Sequence, residues 1–483
     1  MRLSEILYPT EIVSHGFSDL EIEKPCDDTR KLQKNDVFFS ENGTSYIQEA
    51  IEKGASALIV GQNAQLPSTL SLPVFRVKNV RRQYALAWQR YTGHPEKALR
   101  LIAVTGTNGK TSVSYFLAEL LRSAGYQTGL IGTVEYSDGK QTYPSEYTTP
   151  PADILYPLLQ NMKANGTLFA VMEASSHAIA QERLYGLKFE TAIFTNLTRD
   201  HLDYHKTWDA YKAAKAPIFR SAKNSLLNLD DPAAKEMAFE SAGDVYYYAS
   251  RADAEFEICA PVCTDHNIRY SLRIGSQLLP LQIPLTGDFH VYNTAAAVSA
   301  AYLAGISPEQ LIQAASRLRA PTGRLERLTT ETEYTIYIDY AHTPDALEKA
   351  LSALRPHTKR LTVVFGAGGD RDRGKRPEMG RIADELADRI ILTGDNPRGE
   401  APEQIMADIL CGIQKTELTP IPDRKEAIEY ALKTAHADEI ILLAGKGHED
   451  YLIDQNGKHR FSEREIVCKY LERKGQENVS QHE

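Results

Sequence analysis

The sequence predicts an α/β protein with parallel sheets in its central and C-terminal parts. Two observations predict this class. A buried-strand run at 101–106 leads through a glycine-rich turn into a segment whose apolar residues recur at helical spacing: Val113, Phe116, Leu117, Leu120 and Leu121. Beyond residue 323, strand-like runs at 335–339, 361–366, 389–394 and 439–445 alternate with helical stretches, the order that a parallel sheet requires.

A chain of 483 residues accommodates three domains at roughly 150 residues each. Residues 93–95 (Gly-His-Pro) and 320–323 (Ala-Pro-Thr-Gly) read as hinges. We therefore place the domains at 1–96, 97–321 and 322–483. The first holds short apolar runs between helix-like segments, and the polar C-terminus is expected to fray from about Lys474.

Composition excludes several classes of protein. The formal charge is −9, from 55 basic and 64 acidic side chains, and 42% of the residues are hydrophobic. These values are typical of globular proteins and argue against disorder and against nucleic-acid binding. No run reaches the roughly 18 apolar residues of a membrane span, and the first residues do not resemble a secretion signal. The five cysteines are predicted to be reduced thiols in a cytoplasmic, monomeric protein that acts on small molecules.

The glycine-rich turn is typical of a phosphate-binding loop. It follows a strand and opens a helix, so its backbone N–H groups can approach phosphate oxygens. Lys110 supplies a positive charge, and the Thr111 hydroxyl is placed to hold Mg²⁺. Val104 stands where the general pattern has its first glycine. The sequence thus predicts a P-loop ATPase on the central sheet, with these ATP-binding residues: Gly106, Thr107, Asn108, Gly109, Lys110, Thr111 and Ser112.

Two further strand-like runs end at polar residues. The run at 167–172 ends at Glu173, and the run at 191–195 is followed by a segment that contains His201. Ligands collect beyond the carboxyl ends of parallel strands, so Glu173 and His201 are candidate ligands of a Mg²⁺ ion near the nucleotide phosphates. Histidine is an uncommon ligand for this hard cation, and further oxygen donors are therefore expected.

At this point the motifs resemble those of the Mur ligase family. The resemblance runs nearly end to end and is carried by TGTNGKT, EASSH, NLTRDHLDYH, DYAHTPD, GGDRDRGKRP, DNPR and GKGHEDY. It implies a central P-loop ATPase domain, a Rossmann-like C-terminal domain and ATP-dependent amide synthesis. It also implies that Lys215, in YKAAKAPIF, is carbamylated by CO₂ and helps to hold a second Mg²⁺. Lys110, Lys215, His201 and Glu173 would then be the catalytic residues, with Thr111 as a further metal ligand.

The resemblance assigns substrate contacts as well. Nucleotide contacts are implied for Asn293, Arg324, Asp339 and His342. Contacts to a UDP-MurNAc-dipeptide are implied for Thr29, Arg30, Thr148, Thr149, Ser175, Gln181 and Arg183. The N-terminal segment after Phe39 is shorter than the uracil-contacting loop of the family.

The loops after two C-terminal strands indicate which amino acid is added. Arg371 and Arg398 can read a carboxylate, and Glu449 can receive an ammonium. meso-2,6-Diaminopimelate carries both groups at its distal end, whereas L-lysine carries only the ammonium and would face Arg398 with a like charge. An internal ion pair between Asp395 and Arg398 is the alternative. The predicted amino-acid-binding residues are Arg371, Asp395, Asn396, Pro397, Arg398, Gly445 and Glu449.

These inferences predict an ATP-dependent ligase that joins diaminopimelate to UDP-MurNAc-L-Ala-D-Glu through an acyl phosphate. A ligase of the same scaffold that uses another acceptor, or that adds L-lysine, is one alternative. A phosphate-loop module that couples hydrolysis to a partner is another, but it needs neither Lys215 nor Arg398 nor Glu449. Domain closure is expected to bring Arg398 toward Lys215.

Overall fold

The computed structural model describes residues 1–8, 12–15, 19–41, 44–67, 70, 72–198, 200, 202–328 and 332–480. The chain forms two compact units. Unit 1 comprises Met1–Glu257, Arg273–Gln277 and Ala295–Ala314, and unit 2 comprises Ile258–Leu272, Leu278–Thr294 and Ala315–Glu483. The predicted α/β class with parallel sheets is confirmed, while the bounds of the three domains stay a prediction.

The strands are named in chain order. They are β1 (Ile12–His15), β2 (Pro25–Cys26), β3 (Val37–Ser40), β4 (Ala57–Gly61), β5 (Val74–Val77), β6 (Arg100–Thr105), β7 (Thr128–Ile131), β8 (Glu135–Ser137), β9 (Thr142–Pro144), β10 (Phe169–Glu173), β11 (Phe189–Phe194), β12 (Ala222–Asn228), β13 (Asp244–Ala249), β14 (Phe256–Cys263), β15 (Ile268–Ile274), β16 (Gln277–Ile283), β17 (Glu326–Leu328), β18 (Thr335–Asp339), β19 (Leu361–Phe365), β20 (Arg389–Leu392), β21 (Glu417–Pro420), β22 (Ile440–Ala444), β23 (Tyr451–Asp454) and β24 (Gly457–Arg460).

The α-helices follow the same convention. They are α1 (Leu3–Ile6), α2 (Thr44–Glu52), α3 (Val80–Tyr91), α4 (Lys110–Ser123), α5 (Ala152–Asn165), α6 (Ser176–Ala180), α7 (Leu202–His205), α8 (Trp208–Ala213), α9 (Pro217–Arg220), α10 (Ala234–Phe239), α11 (Phe289–Leu303), α12 (Pro308–Ala315), α13 (Pro344–Leu354), α14 (Lys375–Leu386), α15 (Pro402–Leu410), α16 (Arg424–Lys433) and α17 (Glu463–Ser480). In the part of the chain described here, no helix is long and apolar enough to cross a bilayer.

Unit 1 carries an N-terminal sheet and a central sheet. The N-terminal sheet has the order β1-β5-β4-β3-β2 and is parallel except for β1. In the central sheet, strands β13-β12-β11-β6-β10-β7 are neighbours in that order and all run parallel. The register places Glu173 beside Val104 and Phe194 beside Thr105. The carboxyl ends of β10, β6 and β11 therefore meet at one edge.

Unit 2 is built on a sheet of order β17-β18-β22-β19-β20-β21, parallel except for β17. Side chains alternate between its two faces, as expected for strands. Val363 and Leu442 pack on one face with α13, α14 and α15, and Val364 and Ile441 pack on the other with α16 and α17. The C-terminus differs from expectation, because α17 continues through Lys474 to Ser480.

Candidate active site

The phosphate loop joins β6, which ends at Thr105, to α4, which begins at Lys110. Gly106 and Gly109 have φ angles of 144° and 85°, which other residues rarely adopt. Lys110 Nζ donates to the carbonyl oxygens of Gly106 at 3.0 Å and of Thr107 at 2.7 Å. The ammonium thus lies over a turn that opens a four-turn helix, an arrangement suited to phosphate.

The segment after β11 holds this loop in shape. Thr195 Oγ1 donates to the Asn108 carbonyl at 2.6 Å, and the backbone N–H of Asn108 donates to Asn196 Oδ1 at 3.0 Å. The Thr107 hydroxyl donates to the Thr198 carbonyl at 3.2 Å. The predicted residue Ser112 is buried on α4. The side chains of Thr195 and Asn196 therefore hold backbone groups of the loop, and the Thr198 carbonyl holds a loop side chain.

Glu173 ends β10 and is 1% exposed. Its Oε2 accepts hydrogen bonds from the hydroxyls of Thr111 at 3.0 Å and Thr133 at 3.1 Å, and its Oε1 accepts one from the Thr133 backbone N–H at 2.7 Å. Thr133 was not among the predicted residues. The preceding residue, Gly132, leaves room for this contact, because a Cβ atom there would lie 2.5 Å from Glu173 Oε1.

The structure places Thr111 and Glu173 together, but the predicted ligand His201 lies outside the described residues. Within residues that are described, no group of three His, Cys, Asp or Glu side chains is arranged to hold a metal ion. The adjacent hydroxyl and carboxylate oxygens of Thr111 and Glu173 are nevertheless the donor types that Mg²⁺ prefers.

Lys215 follows α8 and is 1% exposed. Its Nζ donates to the Gly106 carbonyl at 2.8 Å, the same oxygen that accepts from Lys110, and lies 4.6 Å from the centre of the Tyr211 ring. Burial, reinforced by the Lys110 charge and opposed by Asp200, holds the pKa of Lys215 well below its usual value. The site thus favours a neutral amine at this position.

Five of the residues predicted to contact the dipeptide lie together in unit 1. Thr149 Oγ1 donates to the Glu173 carbonyl at 2.7 Å, and the Ser175 N–H donates to Thr149 Oγ1 at 3.0 Å. Arg183 donates from Nη1 to the Thr149 carbonyl at 2.7 Å and from Nη2 to Gln181 Oε1 at 2.7 Å. Thr148 also belongs to this group. Its hydroxyl lies 3.0 Å from the hydroxyl of Thr133, which in turn contacts Glu173.

Gln181 and Arg183 also line a cleft of about 860 Å³ that contains Thr29 and Arg30. Three of its cations have acidic partners: Arg30 pairs with Asp28, Lys31 with Asp153 and Arg81 with Glu41, each at 2.7 Å. The structure therefore groups the N-terminal candidates with two of the central ones. It also shows acidic side chains in the cleft that the sequence analysis did not single out.

In unit 2, three of the four residues predicted to contact the nucleotide surround Tyr340. The Arg324 guanidinium lies 4.8 Å from the centre of the Tyr340 ring, and His342 Nδ1 lies 2.7 Å from the Tyr340 carbonyl oxygen. Burial, opposed by the Arg324 charge, raises the pKa of Asp339 to about 6. The fourth residue, Asn293, is buried on α11.

Most of the residues predicted to bind the amino acid lie on the loops that follow β20 and β22. Asn396 Nδ2 donates to Glu449 Oε2 at 2.8 Å. Lys446, which was not predicted, lies 3.7 Å from Asp395 Oδ1 and 3.3 Å from Glu449 Oε2. A Cβ atom at Gly445 would lie 2.6 Å from Asp395 Oδ2, so this backbone passes close to the carboxylate.

Arg398 has a positive φ of 52° and follows Pro397. Its Nη1 donates to the Gly369 carbonyl at 2.9 Å, which ties it to the loop after β19. Arg371, from that loop, is exposed and donates to the Asp370 carbonyl. Among the described ion pairs, Asp395 faces Lys446 and none joins it to Arg398, so the alternative of an internal Asp395–Arg398 pair is not observed.

Comparison with known proteins identifies the family of the chain. Residues 104–301 match the Mur ligase middle domain, and residues 323–447 match the Mur ligase, glutamate ligase domain. UDP-N-acetylmuramoyl-L-alanyl-D-glutamate–2,6-diaminopimelate ligases of Clostridium tetani and Gloeobacter violaceus are 36% and 39% identical to this chain, and each alignment covers 98% of this chain and 99% of the relative. A solved structure of a ligase with that name has a TM-score of 0.66 at 33% identity, covering 94% of this chain and 95% of the other.

Proposed function

The chain belongs to the Mur ligase family, and we propose that it uses ATP to join meso-2,6-diaminopimelate to UDP-MurNAc-L-Ala-D-Glu in peptidoglycan precursor synthesis. The observation that supports this most directly is the shared edge of the central sheet, where the phosphate loop, Glu173 and Lys215 come together. In unit 2, the residues that we assign to the amino acid are Asn396, Arg398 and Glu449. Small-molecule substrates and a cytoplasmic location are part of the proposal.

The reaction activates a carboxylate before it forms the amide. The γ-phosphoryl group of ATP moves to the terminal carboxylate of the dipeptide, because carboxylate oxygen is otherwise a poor leaving group. The amine of diaminopimelate then attacks the carbonyl carbon, loses a proton, and inorganic phosphate leaves with the C–O electron pair. Lys110 and the loop N–H groups would offset the negative charge where the two anions approach each other.

Magnesium fits this site through Thr111 and Glu173, whose oxygens lie 3.0 Å apart. Bound there, the ion would neutralise phosphate charge. The Thr133 contacts fix the Glu173 carboxylate in one orientation, and the sequence adds His201 as a further ligand. A second magnesium ion remains part of the proposal from the family resemblance.

Carbamylation is the role proposed for Lys215. A neutral amine attacks CO₂, forms a C–N bond and releases one proton to water, which converts a would-be cation into an anionic oxygen ligand. Burial and the adjacent Lys110 charge both favour the neutral amine that this step requires. The product would bring anionic oxygen close to the phosphate loop. Oxygen donors of this type are the ligands that Mg²⁺ requires in addition to a histidine.

The cleft of unit 1 is proposed to hold the acceptor. Thr29, Arg30, Gln181 and Arg183 line it, and Thr148, Thr149 and Ser175 lie in the hydrogen-bonded group that continues from Arg183 toward Glu173. The dipeptide carboxylate would then reach the phosphate loop from the Arg183 side. Arg324, Asp339, His342 and Asn293 are the proposed nucleotide contacts of unit 2.

Replacing Lys110 with Ala tests the assignment. We expect diaminopimelate-dependent phosphate release from ATP and UDP-MurNAc-L-Ala-D-Glu to be abolished, because the loop loses the charge that faces phosphate. Coupled phosphate detection gives the rate, and Lys212, an ion-paired lysine on α8, provides the control Lys212→Ala. Retained turnover in Lys110→Ala would refute the assignment.

A ligase that uses a different acceptor is the second candidate. The observation that favours it is the pairing of Arg30, Lys31 and Arg81 with carboxylates, since a diphosphate is better matched by uncompensated cations. Phosphate release with UDP-MurNAc-dipeptide, compared with the same dipeptide on a sugar without UDP, separates the two candidates.

A further inference from the structure

A buried lysine stands among the groups proposed to bind the amino acid. The Lys446 side chain has no exposed surface, and its Nζ lies 3.7 Å from Asp395 Oδ1, 3.3 Å from Glu449 Oε2 and 3.1 Å from Asn396 Oδ1. One ammonium therefore faces two carboxylates and an amide oxygen. Removing one partner from a buried ion pair is costly, because the remaining charge is left buried and uncompensated.

Lys446 also fixes the orientation of its neighbours. Asn396 Oδ1 accepts from Lys446 and from the Ile453 N–H at 2.8 Å, so Asn396 Nδ2 must point to Glu449 Oε2, which it meets at 2.8 Å. Glu449 Oε2 is therefore committed to Asn396 and Lys446. The other oxygen, Oε1, is 3.4 Å from Tyr340 Oη and is the one placed to meet a ligand.

The charges around Lys446 balance once the solvent-exposed Arg371 is set aside. Asp395 and Glu449 contribute two negative charges, and Lys446 and Arg398 contribute two positive charges. Arg424, which also faces Asp395, is compensated by Glu463 at 2.8 Å. A site without net charge is matched by a ligand head that carries both an ammonium and a carboxylate, whereas a head with an ammonium alone adds an uncompensated charge.

We infer that Lys446 is a positioning residue that determines specificity: its charge makes the site select an amino acid with a zwitterionic distal head over one with a distal ammonium alone. This inference rests on the proposed function and adds a residue to it. Without Lys446, Asp395 and Glu449 would give the site a net negative charge, and the distal ammonium of lysine would supply the missing cation. Selection between the two amino acids would then weaken.

The test compares kcat/KM for diaminopimelate with kcat/KM for L-lysine in four variants. We expect Lys446→Gln and Lys446→Met to lower this ratio by about tenfold or more, through KM for the amino acid, while KM for ATP stays within about twofold. Lys446→Arg keeps the charge and should keep the preference for diaminopimelate. The control Lys458→Met removes an exposed lysine that stacks on Tyr451 in the same unit, and it should leave the ratio unchanged.

The ratio does not depend on the fraction of active enzyme, so partial misfolding of a variant does not move it. Lys446→Gln removes the charge but retains hydrogen-bonding groups. It therefore serves as the test variant if Lys446→Met does not fold. An unchanged ratio in Lys446→Gln overturns the inference. If the unaltered protein uses neither amino acid, the proposed function fails instead, and the two failures are thus distinguishable.

Discussion

At the scale of single residues, Lys215 combines complete burial, a lowered pKa and a position beside a second lysine. We predict that Lys215→Met lowers the rate of phosphate release by roughly 100-fold, the scale seen when one group that stabilises charge is removed. The unaltered protein should lose activity in CO₂-stripped buffer and regain it with bicarbonate. Lys212→Met, from the same segment, is the matched control and should respond like the unaltered protein.

If Lys215→Met keeps its dependence on bicarbonate, the carbamate lies elsewhere. If it keeps full activity, Lys215 has no role in the reaction. Mass spectrometry of the intact protein under mild conditions offers an independent check, since carbamylation adds the mass of CO₂ and is lost on acidification.

His448 gives a prediction about stability and pH. Burial lowers its pKa to about 4, and its Nδ1 has no hydrogen-bond partner within the described residues. Between pH 4 and about 6.5 the unfolded chain binds more protons at this residue than the folded one, so the free energy of unfolding should fall as the pH falls. In His448→Asn this slope should be shallower, by up to about 1 kcal/mol per pH unit.

Urea unfolding at several pH values between 5 and 7 measures that slope. The control variant is His436→Asn, which replaces an exposed histidine instead of a buried one. Equal slopes in His448→Asn and in the unaltered protein would contradict the prediction.

At the scale of secondary-structure elements, the turn between β6 and α4 leads to a prediction about Gly106. An alanine Cβ there would lie 1.9 Å from Thr195 Oγ1, and the φ of 144° is itself unfavourable for alanine. Gly106→Ala should lower the free energy of unfolding by roughly 1–3 kcal/mol and weaken ATP binding, because the loop must move. Gly61→Ala, where the new Cβ would meet no atom within 4 Å, should change stability by less than about 0.5 kcal/mol.

Strands were the elements that the sequence predicted best. The runs at 335–339 and 361–366 became β18 and β19 with boundaries within one residue, because buried parallel strands are continuous apolar runs. The helix after the phosphate loop also buries the predicted apolar stripe, including Phe116 and Leu120. Strand order was not predictable: β22 pairs between β18 and β19, and this pairing depends on contacts far apart in the chain.

The site was predicted in part for the same reason. Glu173 and Lys110 stand at strand and helix ends, which local patterns mark. Thr133 and Lys446 contact Glu173 and Glu449 only after folding, and threonine or lysine in a loop gives no local signal of that contact. Residues that orient others are therefore harder to find from sequence than the residues that they orient.

At the scale of the whole molecule, the proposed substrates divide between the two units. Diaminopimelate is assigned to loops of unit 2 alone, whereas ATP is assigned to the phosphate loop of unit 1 and to Arg324, Asp339 and His342 of unit 2. Hydrogen–deuterium exchange can separate these assignments, because a bound ligand slows the local opening that exposes amides. We predict that diaminopimelate protects amides at 395–398 and 445–453, and that a non-hydrolysable ATP analogue protects both 106–112 and 324–342.

The variant Lys110→Ala tests whether the two nucleotide assignments belong to one binding event. If one ATP molecule contacts both units, loss of the phosphate-loop lysine should reduce protection at 324–342 together with protection at 106–112, although the replaced residue lies in unit 1. Protection by diaminopimelate in unit 2 should persist, because its proposed ligands are intact. Protection at 324–342 that survives in Lys110→Ala would mean that unit 2 binds nucleotide on its own, and the nucleotide would then have to be assigned a separate site there.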